Sequence, residues 1–137
     1  MRRQRKSILV VEDHPRQLLA LRKVLAGLGV EVVVAGDGAA AKDVLARFVP
    51  DLVCVELRLP DSSGYELCEV IRGSPAHSGV PVVLLSDHTS PGDRAHAAEV
   101  GADAFLVKPV PDEILRARLE GLLERPIRGR ARAAGES

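Results

Sequence analysis

Residues 50–64 read PDLVCVELRLPDSSG, and this stretch decides the architecture. Leu52 to Val55 is a short, continuous apolar run, as expected for a strand buried on both faces. The run delivers a carboxylate, Glu56, into a loop that holds Pro60, Asp61, Ser62, Ser63 and Gly64. An acid carried by a buried strand into a turn is how α/β proteins place chemistry at the carboxyl edge of a sheet.

Outward from this stretch the same grammar repeats. Ser7–Val11 is a strand ending at Glu12 and Asp13, and Pro15 to Leu28 is a helix with Leu18, Leu21, Leu25 and Leu28 on one face, stopped by Gly29. Val30–Ala35 is a second strand, and Asp37 can cap a helix running to about Phe48. After Glu56, a helix over Gly64–Arg72 is closed by Gly73. Val80–Leu85 is the fourth strand, and Ser90 with Pro91 opens a helix to about Val100. Asp103–Val107 is the fifth strand, and Pro111–Glu124 is a helix using Ile114, Leu115, Leu119 and Leu122. Five βα units with fully apolar strands imply a parallel sheet covered by helices on both sides, a flavodoxin-like three-layer sandwich.

Composition bounds the rest. The chain has 137 residues, the size of one domain, and 46% are hydrophobic but 2% aromatic, so the core is aliphatic. No apolar run approaches the ~20 residues of a membrane span, and the basic start MRRQRK lacks the pattern of a signal peptide, so a cytoplasmic protein is expected. Cys54 and Cys68 have neither the number nor the spacing of a zinc site or disulfide framework, and read as buried free thiols. The zero net charge divides into an acidic body and basic ends: residues 7–125 carry 12 basic and 18 acidic side chains. Residues 1–6 and 125–137 are expected to be disordered basic tails flanking a domain over 7–124. An acidic body is a poor nucleic-acid surface.

Ligands in such folds sit at the carboxyl ends of the strands. The strand ends supply Glu12, Asp13, Glu56, Ser86, Asp87 and Lys108, the last followed by Pro109. Oxygen clusters suit hard cations such as magnesium, and a lysine with a hydroxyl can hold a phosphoryl group. A phosphoryl and magnesium site is the leading reading.

Four stretches in order, ILVVEDHP (8–15), PDLVCVELRLPDSSGYEL (50–67), PVVLLS (81–86) and GADAFLVKPV (101–110), resemble the receiver domain of two-component response regulators. The resemblance covers residues 7–124. It implies strand order 2-1-3-4-5, a magnesium-binding acidic pair at Glu12 and Asp13, a phosphoryl-sensing hydroxyl at Ser86, and a rotating aromatic switch at Phe105. It also implies a phosphoryl-binding lysine at Lys108 and a cis bond to Pro109. Partners in the family use the face of the fourth helix, fifth strand and fifth helix, here Arg94, His96, Glu99, Phe105, Arg116 and Arg118.

Two positions depart from the family pattern. The phosphoacceptor there is an aspartate, and the register set by Pro50-Asp51 and by Pro60 and Gly64 lands on Glu56. The added methylene moves the carboxylate by about 1.5 Å. A displacement of ~1 Å can cost on the order of a hundredfold in a transfer step that depends on alignment. The longer side chain could instead reach Lys108 and Ser86, where a phosphoryl group would sit. Asp87 stands where the family usually has a small residue. It completes an acidic pocket with Glu12, Asp13 and Glu56, whose crowding should push one carboxyl toward protonation.

The expectation is a pseudo-receiver: a non-enzymatic, stand-alone signalling module that binds a protein partner, with a homodimer possible and magnesium binding weak or lost. The alternatives are an active phosphorelay response regulator that accepts phosphate from a histidine kinase, and a nucleic-acid-associated regulator acting through basic tails. The histidines, His14, His77, His88 and His96, read as solvated or partly buried.

Overall fold

The computed structural model describes residues 5–125. Of the expected tails over 1–6 and 125–137, residues 1–4 and 126–137 lie outside the described residues. Arg5 and Lys6 are described: the Lys6 carbonyl accepts from the Glu31 amide at 2.8 Å, and its ammonium donates to the Leu123 carbonyl.

Strands and helices alternate strictly. They are β1 (Ser7–Val11), α1 (Pro15–Ala26), β2 (Glu31–Ala35), α2 (Gly38–Leu45) and β3 (Leu52–Glu56). Then come α3 (Gly64–Gly73), β4 (Val82–Ser86), α4 (Asp93–Glu99), β5 (Ala104–Val107) and α5 (Asp112–Glu124). The sheet is parallel throughout, in the order β2-β1-β3-β4-β5. This is the flavodoxin-like sandwich expected from the apolar strand runs.

Alternation along each strand separates two aliphatic cores, because successive side chains leave opposite faces of a sheet. Leu9, Val11, Val53, Val55, Val82 and Leu84 pack with residues of α2, α3 and α4 on one face. Ile8, Val10, Leu52, Cys54, Val83 and Leu85 pack with α1 and α5 on the other. Register aligns Val11 with Val55, and Glu56 with Leu85, so the strand ends that carry polar groups arrive at one edge. Cys54 and Cys68 are buried free thiols, with burial pushing the Cys54 thiol up to about 12.

Four local expectations need correction. Gly73 does not terminate α3 in a left-handed turn; it is the last helical residue, and Ser74 turns extended because Pro75 follows it. Regular α2 ends at Leu45 and not near Phe48, although a loosened last turn follows in which the Phe48 amide donates to the Val44 carbonyl at 3.2 Å. Ser90 is not the cap of α4. Gly92, at φ 92°, precedes the helix, and Asp93 reaches back to accept the Ser90 amide at 2.6 Å. Ile114 is 56% exposed, because α5 buries Leu115, Leu119, Leu122 and Leu123, a stripe that turns Ile114 outward.

The loop after β3 is fixed at both ends. Asp61 accepts from the Gly38 and Ala39 amides, each at 2.9 Å, capping α2 from across the fold, and these bonds hold its carboxyl below the usual range. A Cβ at Gly38 would come within 2.3 Å of Ser62 Oγ. Gly64 donates to the Leu57 carbonyl at 2.8 Å, and a Cβ there would stand 3.0 Å from the Glu56 carbonyl. Both glycines permit close approach, and the Glu56 backbone is thereby held in one position.

Candidate functional site at the carboxyl edge of the sheet

Lys108 organises the site. It follows β5 directly, and the Lys108–Pro109 peptide is cis. Its ammonium donates to Glu56 Oε2 and to Gln17 Oε1, and lies 3.5 Å from Glu12 Oε1 and 3.6 Å from Asp87 Oδ1. Four oxygens, from the segment after β1, from α1, from β3 and from the loop after β4, therefore surround a group with three hydrogens to donate.

Glu56 is 6% exposed and its carboxyl is pushed up to about 7. Burial is the main cause; Lys108 opposes it, and the charges of Glu12 and Asp87 add to it. One carboxyl of the cluster is thus driven toward protonation, by burial first and by the crowding of acids only in part. For Lys108, burial favours the neutral form, but contact with Glu56 and the charges of Glu12 and Asp87 prevail and raise its pKa.

The remaining residues divide. Glu12 is 4% exposed, and its Oε2 accepts from the His14 amide at 3.1 Å and lies 3.2 Å from His14 Nδ1. Asp13 Oδ1 is also 3.2 Å from that nitrogen. His14, read as solvated or partly buried, is exposed and also borders the acidic edge, and its pKa is raised, chiefly by its hydrogen bond with Glu12. Asp87 is half-exposed and leans toward Lys108 from the rim.

Ser86 is buried, but its hydroxyl is committed elsewhere. It donates to the His88 carbonyl at 2.6 Å and accepts from the His88 amide at 3.2 Å. The glutamate therefore meets Lys108, while the serine holds its own loop. Phe105 is 6% exposed and packs into the core, with the Arg94 guanidinium 5.5 Å above its ring. It is not part of an exposed partner face. Asp51, at the far end of β3, accepts the Ser7 amide at 2.8 Å.

Sequence reasoning passed over Gln17. The available signal was its place in the first turn of a helix that begins directly after the acidic strand end, where a long side chain can fold back over the site.

Glu12 and Asp13 offer the oxygen ligands a divalent ion prefers. Glu12, Asp13 and His14 each place a ligand atom within 4.8 Å of the others, and this grouping does not include Glu56. The residues therefore fit a cation held by the first two carboxylates, with Glu56 turned to Lys108.

Comparison with known proteins agrees with this geometry. The family model for the response regulator receiver domain matches residues 8–120. The DNA-binding response regulator MtrA of Mycolicibacterium smegmatis is 40% identical over 121 residues, 88% of this chain and 52% of that protein. Response regulator PleD of Caulobacter vibrioides is 35% identical over 115 residues, 84% of this chain and 25% of that protein. The chain thus spans about half the length of the MtrA relative, and less of PleD.

Among solved structures, the receiver domain of sensor histidine kinase PA1611 from Pseudomonas aeruginosa, with magnesium in its active-site cleft, aligns with a TM-score of 0.80 at 28% identity. The alignment covers 89% of this chain and 100% of that one. The chemotaxis response regulator CheY4 of Vibrio cholerae aligns with a TM-score of 0.80 at 26% identity, covering 87% and 99%. The fold and the strand-edge site define a signalling module of the α/β class, and the chain belongs to the response regulator receiver domain family. Among the described residues no helix is long and apolar enough to cross a membrane.

Proposed function

We propose that this chain is a pseudo-receiver: a signalling module that works by binding a protein partner, in a conformation set by Glu56 and not by aspartyl phosphorylation. The observation that carries the reading is the contact between the Glu56 carboxylate and the Lys108 ammonium. In the family that lysine holds the incoming phosphoryl group. Here a carboxylate already occupies it, and Asp87 adds negative charge at the rim. A phosphoryl dianion would have to displace one acid and approach another.

The imitation is partial. When ionised, Glu56 offers one charge in place of nearly two, and Ser86 stays with His88. The partner surface is the outer face of α4, β5 and α5, with Arg94, His96 and Glu99 on α4 and Arg116 and Arg118 on α5; it could also pair two copies. The module binds and does not catalyse. DNA binding, part of the MtrA relative's name, is not carried over, because the match covers about half of that protein.

A second reading has its own support. Lys108 contacts Glu56, and Glu12, Asp13 and Ser86 follow or end neighbouring strands at the same edge, so a glutamyl acceptor in an active phosphorelay regulator has the family's residues nearby. Intact mass after incubation with magnesium and a small phosphodonor separates the two. The pseudo-receiver reading expects no added phosphate on the unaltered chain, and labelling on Glu56→Asp that increases when Asp87→Ala is added. Stoichiometric phosphate on the unaltered chain would sink it in favour of the second reading.

A further inference from the structure

A cavity of about 410 Å³ opens between α1 and α5, and the receiver chemistry does not use most of it. Its walls are aliphatic: Leu21 and Val24 from α1, Leu85 from the end of β4, Val110 from the loop between β5 and α5, and Leu115 from α5. Ala20 is exposed at its border, and its small side chain leaves the groove open. Glu12, Asp87, Asp112 and Lys108 also line it. These four follow strand ends or open α5, so they gather where the cavity meets the carboxyl edge of the sheet.

We propose that this groove is a binding site for a small organic cation, an ammonium or amidinium group carried on an aliphatic body. The size falls in the usual range of small-molecule sites, roughly 300–1,000 Å³, and such sites pair apolar walls with a few convergent polar groups. The charge at the polar end selects the head group. Three carboxylates line it against one ammonium, and Lys108 already stands among oxygens of Glu56, Gln17, Glu12 and Asp87. Acceptor capacity there exceeds what one ammonium can fill, so a second cation is favoured and an anion is repelled.

The aliphatic walls select the body. A bare metal ion could neutralise the acids at the strand edge but would leave the space between Leu21, Val24, Val110 and Leu115 unfilled. An organic cation does both, with its head between Asp87 and Asp112 and its chain along the groove. The site does not depend on whether Glu56 accepts phosphate. Phosphate on the unaltered chain sinks the pseudo-receiver reading, whereas loss of alkylammonium binding sinks this proposal, so the two failures are distinguishable.

The test is a backbone amide NMR titration of the full chain with n-butyl-, n-hexyl- and n-octylammonium chloride, compared with sodium n-hexanesulfonate and with magnesium chloride alone. Saturable shifts centred on Ala20, Val24, Val110 and Leu115 are expected. Affinity should rise about three- to fourfold per added methylene, and the sulfonate should bind far more weakly than hexylammonium. Ala20→Phe, an exposed position that can accept bulk, should close the groove and abolish the shifts. Asp112→Asn should weaken binding several-fold with the fold intact. Equal binding of the sulfonate, shifts centred elsewhere, or the absence of saturation would overturn the proposal. So would ammonium shifts that match those of magnesium and ignore chain length, since the edge would then be a sink for bare charge.

Discussion

β5 has an ion pair beyond each of its ends, and the two are built differently. Before its first residue stands Asp103, 8% exposed at the side chain, 2.9 Å from the Arg72 guanidinium. The same carboxylate oxygen accepts the Val82 amide at 2.8 Å, and the other lies 3.1 Å from Arg125. Arg72 gives its remaining hydrogens to the carbonyls of Gly101, Val80 and Ser78. Beyond the last residue stands Lys108, one ammonium among four oxygens. A planar fork matched to its acceptors ties α3 to β5, whereas a point charge outnumbered by acids leaves an unsettled centre. The difference teaches where the fold tolerates electrostatic mismatch: at the edge where ligands arrive, and not at the edge that holds the layers together.

The largest effect should come from breaking the matched end. Arg72→Ala strips a mostly buried carboxylate and several carbonyls of their shared donor. Urea unfolding should show a loss of about 3 kcal/mol or more. A loss indistinguishable from that of an exposed arginine would mean that the two ends do not differ as described.

A smaller effect, with a definite sign, belongs to the mismatched end. The Glu56 carboxyl is raised from 4.5 to about 7 on folding. Between those values the folded protein keeps a proton that the unfolded chain has released. The Glu56 contribution to stability is therefore fully present below about 4.5 and is lost as pH rises through about 7. Glu56→Gln keeps the shape without the ionisation. Urea melts at pH 5 and pH 8 should show the variant gaining on the unaltered protein at the higher pH. An unchanged difference between the two proteins at both values would count against a buried, strained carboxyl.

The fold was legible because each strand is a continuous aliphatic run and each helix has a periodic stripe. Leu52–Val55 had no other use in a chain this short of aromatics. The site was legible as a set of strand ends, since a parallel sheet delivers Glu12, Glu56, Ser86 and Lys108 to one edge. What the pattern could not show was which oxygen each donor would choose. Ser86 has a nearer partner in the His88 backbone, set by a loop whose shape no periodicity encodes. Gln17 and His14 enter through the first turn of α1, whose orientation depends on packing against the sheet. Gly73 misled because the stop signal was one residue further on, in the restriction that Pro75 places on Ser74. Ile114 misled because a stripe drawn through Leu115, Leu119 and Leu122 leaves no room for it on the buried side.

The central claim is that the Glu56 carboxyl is buried against Lys108, in the place a phosphoryl group would take. The most direct test is the titration of the Glu56 side-chain carboxyl carbon by NMR, in the unaltered chain and in Lys108→Met. The account predicts a midpoint near 7, moved higher when the lysine that opposes protonation is removed. A midpoint in the ordinary carboxylate range, indifferent to Lys108, would place Glu56 in solvent and contradict it.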